Sequence, residues 1–153
     1  MRTTTLTEYS LIISLHLAKR RGEGRGPIAA RELAETERLP ADYVEQILLR
    51  LRRAGLVDSV RGAKGGYLLA RDPEDMTVHD VMSASDHQTF ELNCSTHPID
   101  SKRCGPTGNC SFKPMWSALK LRINDFLARI TLADLLRDEA RVPELAAVGS
   151  ELD

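Results

Sequence analysis

Residues 41–70 read ADYVEQILLRLRRAGLVDSVRGAKGGYLLA, and two periodicities meet inside this stretch. In its first half Val44, Ile47, Leu48 and Leu51 recur at i, i+3, i+4 and i+7, the spacing that puts apolar side chains on one face of a helix. Asp42, Tyr43, Gln46, Arg50 and Arg53 fall on the outer surface, and Gly55 stops the run. In its second half Leu56–Val60 and Tyr67–Ala70 are short β-capable runs joined by RGAKGG at 61–66. Glycine meets the conformational demands of a tight hairpin, but turning the chain requires neither Arg61 nor Lys64. A cationic hairpin placed directly after a helix with a polar, basic outer face predicts a wing beside a DNA-reading helix.

Toward the N-terminus the pattern completes the motif. Pro40 is suited to the first position of the helix, where a missing N–H removes no hydrogen bond. Thr36–Leu39 is a brief turn, and Ile28–Glu35 is a short helix with Leu33 and Ala34 as its apolar residues. Two short helices joined this tightly match a helix-turn-helix. Thr5–Arg20 is a further helix, with Leu11, Ile12, Leu15 and Ala18 on one stripe and Leu6, Ile13 and Leu17 elsewhere around the axis. A helix apolar over so much of its girth is expected to lie between two partners. Arg21–Pro27 is a charged, glycine-rich loop.

Toward the C-terminus Thr77–Ser83 reads as a short amphipathic helix, and from Ala84 to Cys110 no periodicity is visible. Lys113–Arg129 is the longest helix. Trp116, Leu119, Ile123, Phe126 and Ile130 alternate at three and four residues along it, an a/d seam expected to pair with a second copy of the chain. Thr131–Leu136 reads as a short docking helix. The expected fold is mainly α with a small β-hairpin: a winged helix-turn-helix over 1–83, a cysteine-containing loop over 84–112, a dimerisation helix and docking turn over 113–136, and an acidic tail over 137–153.

Charge supports this division. The net charge of −1 over 153 residues hides a split. Residues 1–71 carry 13 Lys and Arg against 8 Asp and Glu, a net of +5, while residues 72–153 carry a net of −6. A basic half joined to an acidic half is expected where only the first meets phosphate. No apolar run is long enough to span a bilayer, no secretory signal pattern opens the chain, and three cysteines do not close a disulfide framework. A cytoplasmic protein without a membrane partner is therefore expected. Neither a nucleophile–base pair nor a phosphate-binding glycine motif stands out, and RGAKGG lacks P-loop spacing, so an enzyme is not expected.

Three stretches resemble one family of bacterial regulators, the IscR/NsrR type. RTTTLTEYSLIISLHLA at 2–18 looks like its first helix. Residues 41–84, from ADYVEQ to VMSA, resemble its recognition helix, wing and following helix. MWSALKLRINDFLARITLADLL at 115–136 is similar to its dimerisation helix and terminal turn. The resemblance implies a homodimer that binds a palindromic site in double-stranded DNA, mostly as a repressor. It also implies an iron–sulfur cluster on Cys94, Cys104 and Cys110. The spacing departs from the family's two gaps of five residues: five residues separate Cys104 from Cys110, but nine separate Cys94 from Cys104. The family's histidine ligand, three residues past the last cysteine, is replaced by Lys113. A nitric-oxide-sensing subgroup uses an acid of the first helix instead, a place that Glu8 occupies.

The residues themselves leave the fourth ligand open. Thiolates are soft donors that suit iron–sulfur clusters or zinc. Glu8, heading the face with Leu11, Ile12 and Leu15, is one candidate fourth donor, expected to be partly buried. It equally fits a helix-capping box with Thr5. His97, three residues past Cys94, is the rival donor and has a spacing that also suits zinc, whereas His16, His79 and His87 read as surface or packed residues. For DNA, Asp42, Glu45 and Gln46 are expected at base edges, Tyr43 and Arg50 at phosphates, Arg61 in the minor groove beside Gly62, and Lys64 at phosphate. The signal could be iron supply, redox state or nitric oxide. Two other functions remain open: a winged-helix regulator that senses by cysteine oxidation alone, and a zinc-stabilised interaction module.

Overall fold

Helix α1 (Thr5–Gly22) begins where Thr4 Oγ1 accepts a hydrogen bond from the Thr7 N–H at 3.2 Å. The cap is therefore Thr4, with Thr7 as the third helical residue. The expected Thr5–Glu8 capping box is one residue out of register and does not form. The computed structural model describes residues 4–86, 99–105 and 110–137.

The helix-turn-helix is α2 (Ala30–Glu37) and α3 (Ala41–Arg53), joined at Arg38, whose left-handed φ of 55° turns the chain. Helix α2 starts two residues later than its composition predicts, because Ile28 is taken by a β-bridge: Ile28 N–H donates to the Tyr67 carbonyl at 3.0 Å and Tyr67 N–H to that of Ile28 at 2.8 Å. Pro40 is the N-cap of α3 in extended conformation, one residue before the expected first helical position. The wing is an antiparallel pair, β1 (Val57–Val60) and β2 (Gly66–Leu69), with Val57 opposite Leu69 and Val60 opposite Gly66.

The core forms where these elements present their apolar stripes. Val44, Ile47, Leu48 and Leu51 of α3 are fully buried, as their spacing requires, against Ile13, Leu17, Leu33, Val57 and Leu69. Helix α1 contacts α2, α3 and β2 as well as the elements that follow the wing, which accounts for its apolar girth. The turn of α1 before Ile13 buries Thr7 and Ser10 rather than Leu11 and Ile12, and Ile12 is exposed. His16 Nδ1 lies 2.5 Å from Glu37 Oε1 and ties α1 to the end of α2.

After a 3₁₀ turn at Pro73–Asp75, α4 (Val78–Asp86) packs on α1 and runs three residues past the expected Ser83. Within the stretch expected to lack structure, α5 (Ser101–Cys104) forms a single turn. Helix α6 (Phe112–Arg129) packs on α4, and α7 (Leu132–Leu136) docks back on α1 with Leu132 fully buried. Ile130 departs from the expected seam. It caps α6 in extended conformation, its carbonyl accepts from Val78 N–H at 2.8 Å, and its side chain is buried with Val78 and Met82.

Gly66 gives the first prediction. Its φ is +149°, and a Cβ there would stand 2.3 Å from the Ile28 carbonyl oxygen. Gly66→Ala must therefore force β2 away from Ile28, and we expect a loss of roughly 1–3 kcal/mol. An unchanged urea midpoint would show that the Ile28–Tyr67 bridge contributes nothing to stability.

Candidate nucleic-acid interface and cysteine segment

Because one face of α3 is consumed by the core, the opposite face is presented to solvent. Asp42, Gln46, Leu49 and Arg53 share it at helical spacing, and all four are exposed. Glu45 is exposed on the flank toward the wing, where Arg52 Nη1 donates to Ser59 Oγ at 3.2 Å. Tyr43 lies on the other flank, 42% exposed, its ring edge-to-face with Tyr9 at 5.7 Å between centroids. Leu49 is a residue that pattern reading missed. It is a leucine outside the buried stripe, and an apolar side chain among polar ones on this face is suited to a thymine methyl.

The wing tip carries Arg61, Gly62 and Lys64, all exposed. Gly62 has φ +115° and its carbonyl accepts from Gly65 N–H at 2.9 Å, so the turn is held by backbone and both cations are left to solvent.

Arg50, expected at phosphate, is half-buried, and its Nη1 donates to the Ser85 carbonyl in the last turn of α4. Ser85 is fully buried, and its Oγ lies 3.3 Å from Thr7 Oγ1, which in turn lies 3.0 Å from Thr4 Oγ1. A polar chain thus runs from the cap of α1 through the end of α4 to the recognition helix. Hydrogen bonds between small hydroxyls on two elements, and from an arginine of a third to a backbone carbonyl, leave no periodicity to find in a sequence.

Of the cysteines, Cys104 ends α5 and Cys110 lies two residues before α6. Both are half-buried thiols outside any disulfide. Cys94 and His97 lie outside the described residues. Glu8 stands in the first turn of α1, next to Thr7, and is exposed where partial burial was expected. Among the described residues no cluster of three or more His, Cys, Asp or Glu is grouped as a metal site.

A helix-turn-helix with an exposed polar recognition face and a cationic wing makes this a winged-helix, DNA-binding transcription regulator rather than an enzyme. The chain belongs to the Rrf2 family, described as an iron-dependent transcriptional regulator, which it matches over residues 3–138. It is 35% identical over 139 residues to the HTH-type transcriptional regulator IscR of Sodalis glossinidius, covering 91% of this chain and 81% of that protein. Among solved structures it resembles T. potens IscR, at 34% identity and a TM-score of 0.70 over 92% of this chain and 91% of that one. It also resembles CymR, the global cysteine regulator of B. subtilis, at 30% identity and a TM-score of 0.69, covering 88% and 95%. No described helix is long and apolar enough to cross a membrane.

Proposed function

We propose that the chain is a homodimeric repressor whose hold on a palindromic operator is set by an iron–sulfur cluster bound to Cys94, Cys104, Cys110 and Glu8. The polar chain Thr4–Thr7–Ser85–Arg50 carries this reading. It joins α1 next to Glu8, the end of α4 just ahead of the cysteine segment, and the recognition helix. The donor set fits the group: two half-buried thiols precede α6, and thiolate is the ligand such clusters take. When bound, the cluster supplies a centre that reacts with oxidants and nitric oxide. The protein's part is mechanical. Holding Glu8 and the cysteine segment together fixes the start of α1 against the end of α4, and through Ser85 and Arg50 it fixes the angle of α3. Releasing them shifts the population of DNA-competent dimers.

On the operator, α3 enters the major groove with Asp42, Glu45 and Gln46 at base edges and Tyr43 at the backbone. Arg50 keeps its phosphate role only through the donors that Ser85 leaves available. Arg61 reaches the minor groove, with Gly62 allowing close approach, and Lys64 meets phosphate. Gln46→Ala is expected to weaken the cognate site by roughly 1–3 kcal/mol and to relax its base preference. Equal weakening on cognate and random DNA would remove Gln46 from readout.

The decisive experiment is the absorption spectrum of protein purified without oxygen, with iron and sulfide analysis and operator affinity measured before and after chelation. Visible bands with iron and sulfide, and an affinity that changes on chelation, support the reading. Stoichiometric zinc instead would overturn it. A second reading, sensing by cysteine oxidation alone, is favoured by the likeness to Staphylococcus aureus CymR, whose structure is described as an oxidized form, and by the irregular Cys94–Cys104 spacing. It predicts colourless protein in which peroxide oxidises two thiols to a disulfide, reversibly with dithiothreitol, and changes operator affinity.

A further inference from the structure

In the basic half of the chain, four arginines outside the recognition helix and the wing are paired with acids. Arg20 faces Glu32 at 4.0 Å, Arg21 faces Asp72 at 2.7 Å, Arg25 faces Glu23 at 3.6 Å, and Arg31 faces Glu35 at 2.9 Å. Three others, Arg50, Arg53 and Arg71, line one groove between the end of α3 and α4, and among the described residues none of them is within ion-pair distance of a carboxylate. His79 lines the same groove. Its single acid, Asp80, is occupied locally: its Oδ2 accepts from Thr77 N–H at 3.0 Å, while Thr77 Oγ1 accepts from Asp80 N–H at 3.1 Å. Two of the arginines are oriented by backbone, Arg50 on the Ser85 carbonyl and Arg71 on that of Asp75 at 3.4 Å.

Gathering three guanidinium groups around one concavity with a single carboxylate, Asp80, leaves an excess of positive charge that is unfavourable in the empty protein, and the arrangement is complementary to an oxyanion. Guanidinium forks match the oxygens of phosphate better than any other side chain does. The groove, about 610 Å³, falls among ordinary ligand pockets and has room for a phosphate together with the group that it esterifies. We propose that the α3–α4 groove is a phosphate-type oxyanion site, formed by Arg53, Arg71, Arg50 and His79. Two sources have this chemistry: a backbone phosphate of bound DNA, or a small phosphorylated molecule. In either case the anion sits against Arg50, and so against the link between α4 and the recognition helix.

The test uses full-length protein and inorganic phosphate. The melting temperature should rise saturably in phosphate relative to chloride at matched ionic strength. Arg53→Ala and Arg71→Ala should each weaken the midpoint at least tenfold, while Arg53→Lys recovers part of it. Arg31→Ala, which removes a paired exposed arginine elsewhere, should change nothing. A second measurement, operator binding against salt, identifies the source. If the anion is a backbone phosphate, Arg53→Ala lowers the slope of log affinity against log salt by about one, and free phosphate competes with DNA. If it is a small molecule, the slope is unchanged and phosphate still stabilises the protein–DNA complex. Phosphate stabilisation that survives both alanine variants, or no stabilisation together with unchanged salt slopes, would overturn the site. The phosphate arm requires no DNA binding, so failure of the regulator reading and failure of this site are told apart.

Discussion

Replacing any one of Cys94, Cys104 or Cys110 by alanine is expected to abolish the iron-linked absorption completely, whereas Glu8→Ala leaves a coloured protein that bleaches many times faster in air or nitric oxide. The asymmetry follows from donor chemistry. A thiolate is soft, charged and strongly bound to iron in such clusters, so removing one of three leaves too few anchors. A carboxylate is harder and weaker, so its loss opens a corner without emptying the site. Glu8 is exposed in the first turn of α1, so its replacement disturbs little packing. The cap at Thr4, bonded to Thr7, does not depend on it. His97→Ala is the control, since His97 is the rival fourth donor. If that variant loses the cluster while Glu8→Ala keeps it intact and air-stable, the fourth ligand is His97. If all five variants are equally colourless because wild type is also colourless, with three reactive thiols and no iron, cysteine oxidation is the mechanism.

What could be read from the sequence, and what could not, divides along physical lines. The stripe Val44–Ile47–Leu48–Leu51 is buried throughout, and the RGAKGG hairpin is a wing with its cations exposed, because burial periodicity and turn chemistry are local properties of a few adjacent residues. The resemblance over residues 41–84 agrees with the Rrf2 match, so the regulator class was legible as well. Element ends were less so. Ile28 looks like a helix former but is claimed by Tyr67 of the wing, a partner 39 residues away in the chain. Ile130 continues the three-four spacing of α6, yet the pairing of its carbonyl with Val78 ends the helix there. The bond from Arg50 to Ser85 was hidden for the same reason: its two partners lie 35 residues apart, and no spacing on the recognition helix tells that this carbonyl is within reach. The groove of Arg50, Arg53, Arg71 and His79 collects residues from three separate segments, and no spacing rule joins them.

Leu119→Asp is expected to convert the protein from a dimer of twice 17.0 kDa to a monomer and to lower operator affinity at least a hundredfold. Helix α6 is only half covered by its own chain. Phe126 and Leu127 pack against the Val78–Met82 cluster, but Met115 is 50% exposed, Trp116 37% and Leu119 42%. Trp116, Leu119 and Ile123 lie on one face at the a/d spacing, continuous with the part that is already packed. Burying such side chains against a second copy is worth about 1.5–3 kcal/mol each, enough in combination to hold a micromolar dimer or better. In a two-fold arrangement residue 119 approaches its symmetry mate or its neighbours, so an aspartate enters twice and desolvates two like charges. DNA binding is expected to follow the dimer, since the proposed palindrome would be read by two recognition helices at once. A monomer retains one half-site and loses the gain in effective concentration. Leu121→Asp is the matched control. Leu121 is 69% exposed but lies on the other side of α6, so the same charge there should leave mass and affinity unchanged. Light scattering at micromolar protein decides the matter: a Leu119→Asp variant that stays dimeric while Leu121→Asp dissociates would place the interface on the opposite face of the helix, and a wild type that is already monomeric would remove the homodimer altogether.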